Sequence, residues 1–190
     1  MRNGQAKPHI TARDNAIPFN DVFASARVIH TLESMSDEQD NPGVIAFPPL
    51  LWLIGAIVSV LVHFGIGGVR MLPYSVSLIL AIGCLIAGPT LAISALRIMR
   101  AAGTNVDPRE PTLTIVRTGP YRFTRNPMYL ALCLVQAAIG FLLNDAITVL
   151  FAVLLGVILH FGVVRREERY LEGKFGEQYL ELKRTVRRWF

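Results

Sequence analysis

Four long apolar runs dominate the chain, at positions 47–66, 75–96, 128–143 and 146–164, with polar residues confined to the breaks between them. About 20 apolar residues are needed for a helix to cross the hydrocarbon of a bilayer, and the first two runs and the last satisfy that length or come close. The third is short for a full crossing. Only Asn144 and Asp145 separate it from the fourth run, which predicts an antiparallel helical hairpin. Beyond residue 164 the chain turns abruptly charged and reads as an amphipathic tail. The pattern therefore predicts an all-α, polytopic membrane protein with about four transmembrane helices, ending in a hairpin and a polar helical tail.

Residues 1–45 behave differently: they are polar, contain Pro8, Pro18 and Pro42, and end in the acidic run Ser36-Asp37-Glu38-Gln39-Asp40. Such a segment cannot bury enough apolar surface to offset its ordering cost, and it reads as partly disordered. Within it Asn20 can cap a short helix whose Val22, Phe23, Ala26 and Ile29 share one face, as in an interfacial helix. The division is thus a polar segment, 1–45, and a membrane-embedded domain, 46–190. No charged region leads directly into a short apolar stretch followed by small residues, so no cleaved signal is expected.

Composition agrees: 52% of the 190 residues are hydrophobic and only 17% are charged, with positive mean hydropathy. The basic residues are distributed unevenly. Four precede the first run, Arg70 alone follows it, six lie between Arg97 and Arg125, none lies in the hairpin turn, and eight follow from Arg165 to Arg188. Positive loops stay on the cytoplasmic side, so both termini and the loop 97–127 are expected there, in an inner or plasma membrane. The net charge of +5 suits anionic lipid headgroups. It does not form the basic stripe of a nucleic-acid-binding domain.

Cys84 and Cys133 lie inside apolar runs and read as small hydrophobes. His9, His30, His63 and His160 share no metal-ligand spacing, and no metal is expected. His63 and His160 sit near run ends, within reach of water or a backbone carbonyl. Gly55, Gly83, Gly88 and Pro89 suggest close helix approach and a kink. There is no internal repeat, phosphate-binding glycine loop or nucleophile elbow.

The candidate chemistry gathers around GPYRFTRNPMY, residues 119–129, where a basic loop meets the third run. Asn126-Pro127 is a helix-start signal: Asn can accept hydrogen bonds from first-turn amides, and Pro is tolerated at the first helical position. The free amides and positive dipole end favour an anion such as a carboxylate. Arg122 and Arg125 add positive charge, and Tyr121, Phe123 and Tyr129 can wall a flat ring or anchor the helix. The hairpin brings this start to the same membrane face as the end of the fourth run, where Arg166, Glu167 and Glu168 follow within four residues of Val164. An amide end that prefers an anion, beside a carboxylate that prefers a cation, suits a zwitterionic headgroup such as that of an amino acid.

LTIVRTGPYRFTRNPMY (113–129) and REERYLEGKFGEQYLELKRTVRRW (166–189), joined by a hydrophobic hairpin, resemble the C-terminal half of the integral-membrane methyltransferases related to isoprenylcysteine carboxyl methyltransferase and phospholipid N-methyltransferase. The resemblance begins at Thr112 and rests on a Gly-x-Tyr…Arg-x-Pro-x-Tyr block paired with a Glu-Glu…Phe-Gly-x-x-Tyr block. It implies S-adenosylmethionine as cofactor, held in the half 103–190 by Leu113, Thr114, Ile115, Val116, Tyr121, Asn126, Pro127, Met128, Tyr129 and Glu167. Prenylcysteine members carry His where this chain has Asn126, and an amide cannot shuttle protons near neutral pH. Their carboxylate-holding Arg aligns near Val163, with Arg165 and Arg166 close by.

Arg125 and Arg166 are the candidate cations for a carboxylate acceptor, and Glu168 the candidate proton acceptor for an amine. The acceptor is expected to be lipid-like or prenyl-type and to arrive laterally; Ala137, Ala138 and Gly140 could leave it a groove. Two other classes stay open: a non-catalytic module whose basic loops bind anionic lipid, and an intramembrane reductase using a nicotinamide cofactor, against which stands the lack of a dinucleotide loop.

Overall fold

The computed structural model describes residues 40–189, and the helix capped by Asn20 lies outside the described residues. The described chain is helical: α1 (Pro48–Ile66), α2 (Tyr74–Ala101), a 3-10 turn (Gly119–Arg122), α3 (Pro127–Leu142), α4 (Ala146–Leu159), a π turn (His160–Val164), α5 (Arg165–Phe175) and α6 (Glu177–Thr185). Among the described residues, three helical stretches are long and apolar enough to cross a membrane: α1, α2 and the continuous run from α4 through α5. The protein is therefore an integral membrane protein. Helix α3 has 16 residues, about 24 Å at 1.5 Å per residue, less than the roughly 30 Å of hydrocarbon.

Hydropathy located the membrane segments but not all the helix ends. Helix α2 runs five residues past the expected end at Leu96, to Ala101, because Arg97, Ile98, Met99 and Arg100 are compatible with helix and long Arg stems can bury along apolar surface while their heads reach water. Likewise the fourth helix does not stop at Val164. It widens by one residue through the π turn and continues as the charged α5.

The outward faces are apolar, with Leu61, Phe64, Ile79, Ile86, Leu150 and Val153 exposed, as lipid-facing residues should be. Inward faces are built from small residues, Ala56, Ser59, Ser77, Ala81, Ala95, Ala131 and Ala138. Without a hydrophobic driving force between helices in lipid, close approach and interhelical hydrogen bonds hold them together. A Cβ on Gly88 would lie 2.9 Å from Val135 Cγ2, and one on Gly140 would lie 2.6 Å from the backbone nitrogen of Val149. These two glycines set the α2–α3 and α3–α4 crossings. Gly55 and Gly83, by contrast, face open space, so they serve no close approach. Nor do Gly140 and Ala138 leave a groove, since the first is filled by α4 and the second is wholly buried.

The hairpin end is locked by its two turn residues. Asn144 adopts a left-handed backbone (φ 47), donates to Leu72 O at 2.8 Å and accepts from Leu72 N at 3.2 Å. Asp145 caps α4 through Ile147 N and Thr148 N and also accepts from Val69 N at 2.7 Å. His63 Nδ1 lies 3.3 Å from the same carboxylate, close to it but without hydrogen-bond geometry. Midway, Gln136 Nε2 donates to Ser59 Oγ at 3.0 Å and ties α3 to α1.

Candidate active site

At the opposite, polar end the hairpin brings the start of α3 against the start of α5. The Tyr129 hydroxyl donates to Glu167 Oε1 at 2.5 Å, and Arg125 Nη2 lies 3.1 Å from Glu168 Oε1. The two adjacent carboxylates diverge, as neighbours on a helix must: Glu167 turns to α3, and Glu168 turns to the guanidinium groups. Glu168 is the more enclosed, 5% exposed. It is gripped from its other side by Arg188, whose Nε and Nη2 reach Oε1 and Oε2 at 2.9 and 2.6 Å.

Between these groups lies a cavity of about 460 Å³, within the size range of small-molecule sites. Thr114, Ile115, Val116, Tyr121, Arg125, Asn126, Pro127, Met128, Tyr129, Glu167 and Glu168 all line it. Leu113 does not; it is 60% exposed, and its amide donates to Thr104 Oγ1 at 3.0 Å. Arg166 is also outside, exposed and donating to the Gly43 carbonyl at 2.7 Å.

The loop after α2 forms one wall. Its Thr112 amide donates to the Tyr170 hydroxyl at 3.2 Å, and Asp107, which also lines the cavity, accepts from Arg109 Nη2 at 2.6 Å. The hydrogen bond from Arg109 holds the Asp107 carboxyl below its ordinary range. Phe47 and Pro48 enter from the start of α1, Tyr179 and Leu182 from α6. Burial, reinforced by the charge of Glu167, pushes the Tyr121 hydroxyl above the ordinary phenol range. It therefore stays protonated and able to donate.

Asn126 departs from expectation. It occupies the N-cap of α3 and Pro127 follows in the first turn, but its side chain makes no hydrogen bond to the helix amides. Its Nδ2 instead donates to the Arg188 carbonyl at 2.8 Å. The cause is the strap Val186–Trp189, which runs beside residues 124–126. Arg125 N donates to Arg187 O at 3.0 Å, and Thr124 Oγ1 donates to Arg188 O at 3.1 Å. With the side chain engaged there, the first-turn amides have no side-chain cap, next to a cavity that Pro127, Met128 and Tyr129 line.

Arg188, Asp107 and Tyr179 were not among the expected site residues. Asp107 and Arg188 come from a loop and a strap without hydrophobic period, whereas Tyr179 lies on the buried face of α6 with Leu182 and was signalled by the Phe-Gly-x-x-Tyr block; only the fold brings all three to the hairpin. His160, at the start of the π turn, accepts from Trp189 Nε1 at 3.2 Å and so anchors the same strap.

A polytopic helical membrane protein with a mixed polar and apolar cavity at one end of its bundle is the class that fold and site define. The sequence matches the family model for phospholipid methyltransferases over residues 76–178, and the chain belongs to that family. An uncharacterized protein of Haemophilus influenzae is 37% identical over 62 residues, covering 33% of this chain and 98% of that relative. Membership makes methyl transfer the activity class and the membrane its setting.

Proposed function

We propose that the protein transfers a methyl group from S-adenosylmethionine to a lipid-like acceptor at the cytoplasmic face of the membrane. The observation that carries this reading is the single cavity in which Glu167, the uncapped start of α3 and the apolar segment Thr114–Val116 converge. Its donor set fits the cofactor: a carboxylate for an ammonium, helix amides for a carboxylate, and apolar walls for an adenine. When bound, the cofactor supplies a methyl group on a positively charged sulfur, open to in-line attack.

The chain's residues would contribute mainly alignment, which in the best intramolecular cases is worth roughly 7–11 kcal/mol. Glu167, fixed by Tyr129, would receive the ammonium. Met128 and Tyr129, as first-turn residues of α3, would present their amides to the carboxylate. Thr114, Ile115, Val116 and Tyr121 would bound the ring, and Asn126 would hold the strap that closes the pocket. Glu168 has both oxygens in guanidinium contacts, and those contacts support an electrostatic part, keeping Arg125 in place, over proton acceptance. Arg166 would act from outside the cavity, where an anionic headgroup can meet it, and Leu113 would flank the wall.

Lateral entry of the acceptor follows from solvent preference. A charged cofactor cannot cheaply enter hydrocarbon and a lipid cannot cheaply leave it, so a site at the interface serves both. The test is methyl transfer by purified protein in bilayer discs. Turnover of amine-bearing phospholipids or prenyl-type carboxylates is expected; methylation of small hydrophilic acceptors alone would refute the lipid assignment.

A further inference from the structure

The strap Val186–Trp189 makes more specific contacts with the site than packing of a chain end requires. Its backbone accepts from Arg125 N, Thr124 Oγ1 and Asn126 Nδ2. The Arg188 guanidinium takes both oxygens of Glu168, and Trp189 bonds to His160. Arg125 itself is 8% exposed and meets Glu168 only through Nη2. Its Nε and Nη1 are buried with no hydrogen-bond partner among the described residues. The orientation of Arg125 therefore depends on Glu168, and that of Glu168 on Arg188.

We propose that Arg188 is a positioning residue for methyl transfer: it holds Glu168, and through it Arg125 and residues 124–126, in the geometry in which the start of α3 faces the cavity. This rests on the methyltransferase reading of that cavity. Arg188 does not itself line the cavity, so it acts through its neighbours. A planar guanidinium grips a carboxylate with two parallel N–H bonds, and an ammonium cannot reproduce that fork. The strap then works as a clasp whose loss loosens the site without emptying the core.

The test compares Arg188→Ala and Arg188→Lys with Arg184→Ala, which removes an exposed partner of Glu177. Two readouts are used on full-length protein in bilayer discs. The first is hydrogen exchange without cofactor at the Arg125 amide, which is protected by Arg187 O. The second is kcat and KM for methyl transfer, with and without added methylguanidinium. Arg188→Ala should speed that exchange and lower kcat by about tenfold or more, as loss of charge-assisted hydrogen bonds implies. Methylguanidinium should restore much of the rate, Arg188→Lys should restore it in part, and Arg184→Ala should match wild type in both readouts. Unchanged exchange at Arg125 in Arg188→Ala would overturn the proposal, as would a lost rate that methylguanidinium does not recover. A wild-type protein that transfers no methyl group would defeat the methyltransferase reading instead, while the exchange readout would still decide the clasp.

Discussion

Glu168→Gln should be among the most destabilising single changes at the polar end. The carboxylate is 5% exposed and meets Arg125 Nη2 at 3.1 Å and Arg188 Nε and Nη2 at 2.9 and 2.6 Å. An amide keeps one acceptor but turns an NH₂ toward guanidinium N–H groups, donor against donor. Arg125 is then left as a buried charge with no counter-ion, for which about 3–5 kcal/mol is typical. Arg188, 37% exposed at its side chain, is partly screened by water and adds less. A loss of about 3 kcal/mol or more follows. Glu177→Gln, whose carboxylate is 72% exposed and pairs with an equally exposed Arg184, should cost under about 1 kcal/mol. Replacing both buried members with apolar residues, Arg125→Met with Glu168→Leu, should recover stability relative to Glu168→Gln, because no buried charge is left unpaired and Arg188, 37% exposed at its side chain, is released toward water. Reversible unfolding in mixed micelles, followed by circular dichroism, measures all three. Equal losses for Glu168→Gln and Glu177→Gln would refute the claim that Arg125 and Glu168 form a desolvated pair.

Asn126→His should keep much of the activity because an imidazole N–H can still donate to the Arg188 carbonyl, whereas Asn126→Leu should lose it; full turnover by the Leu variant would show that the bond does not matter. Gly140→Ala should destabilise by about 1–3 kcal/mol, since its Cβ would sit 2.6 Å from Val149 N. Gly83→Ala, whose Cβ meets nothing, should gain up to about 1 kcal/mol of helix propensity, and unfolding that ranks the two the other way would contradict the crossing geometry. Labelling of single cysteines placed at positions 105 and 180 should report both on the cytoplasmic side; an external signal from either would overturn the orientation.

How far the sequence reaches is seen at particular residues. The apolar runs were legible because the bilayer fixes length and polarity together, and Asn144-Asp145 marked the hairpin turn because little else separates two apolar helices. The pairing of α3's start with Glu167 followed from that hairpin alone. Arg188 was not legible, because its link to Glu168 depends on a strap that carries no hydrophobic period. The side-chain role of Asn126 was missed for the same reason: capping is a local rule, and the competing acceptor comes from the far end of the chain. Gly55 and Gly83 looked like Gly88, and only the packing distinguishes which glycine meets a neighbouring helix.

The central claim, that the cavity between α3 and α5 receives S-adenosylmethionine through Glu167, is tested most directly by equilibrium binding of the radiolabelled cofactor to purified protein. Wild type should bind saturably, and Glu167→Gln should weaken binding about tenfold or more through loss of a charged partner. Glu172→Gln, whose carboxylate pairs with Lys183 away from the cavity, should bind like wild type. Absence of saturable binding, or equal affinity in the two glutamine variants, would contradict the account.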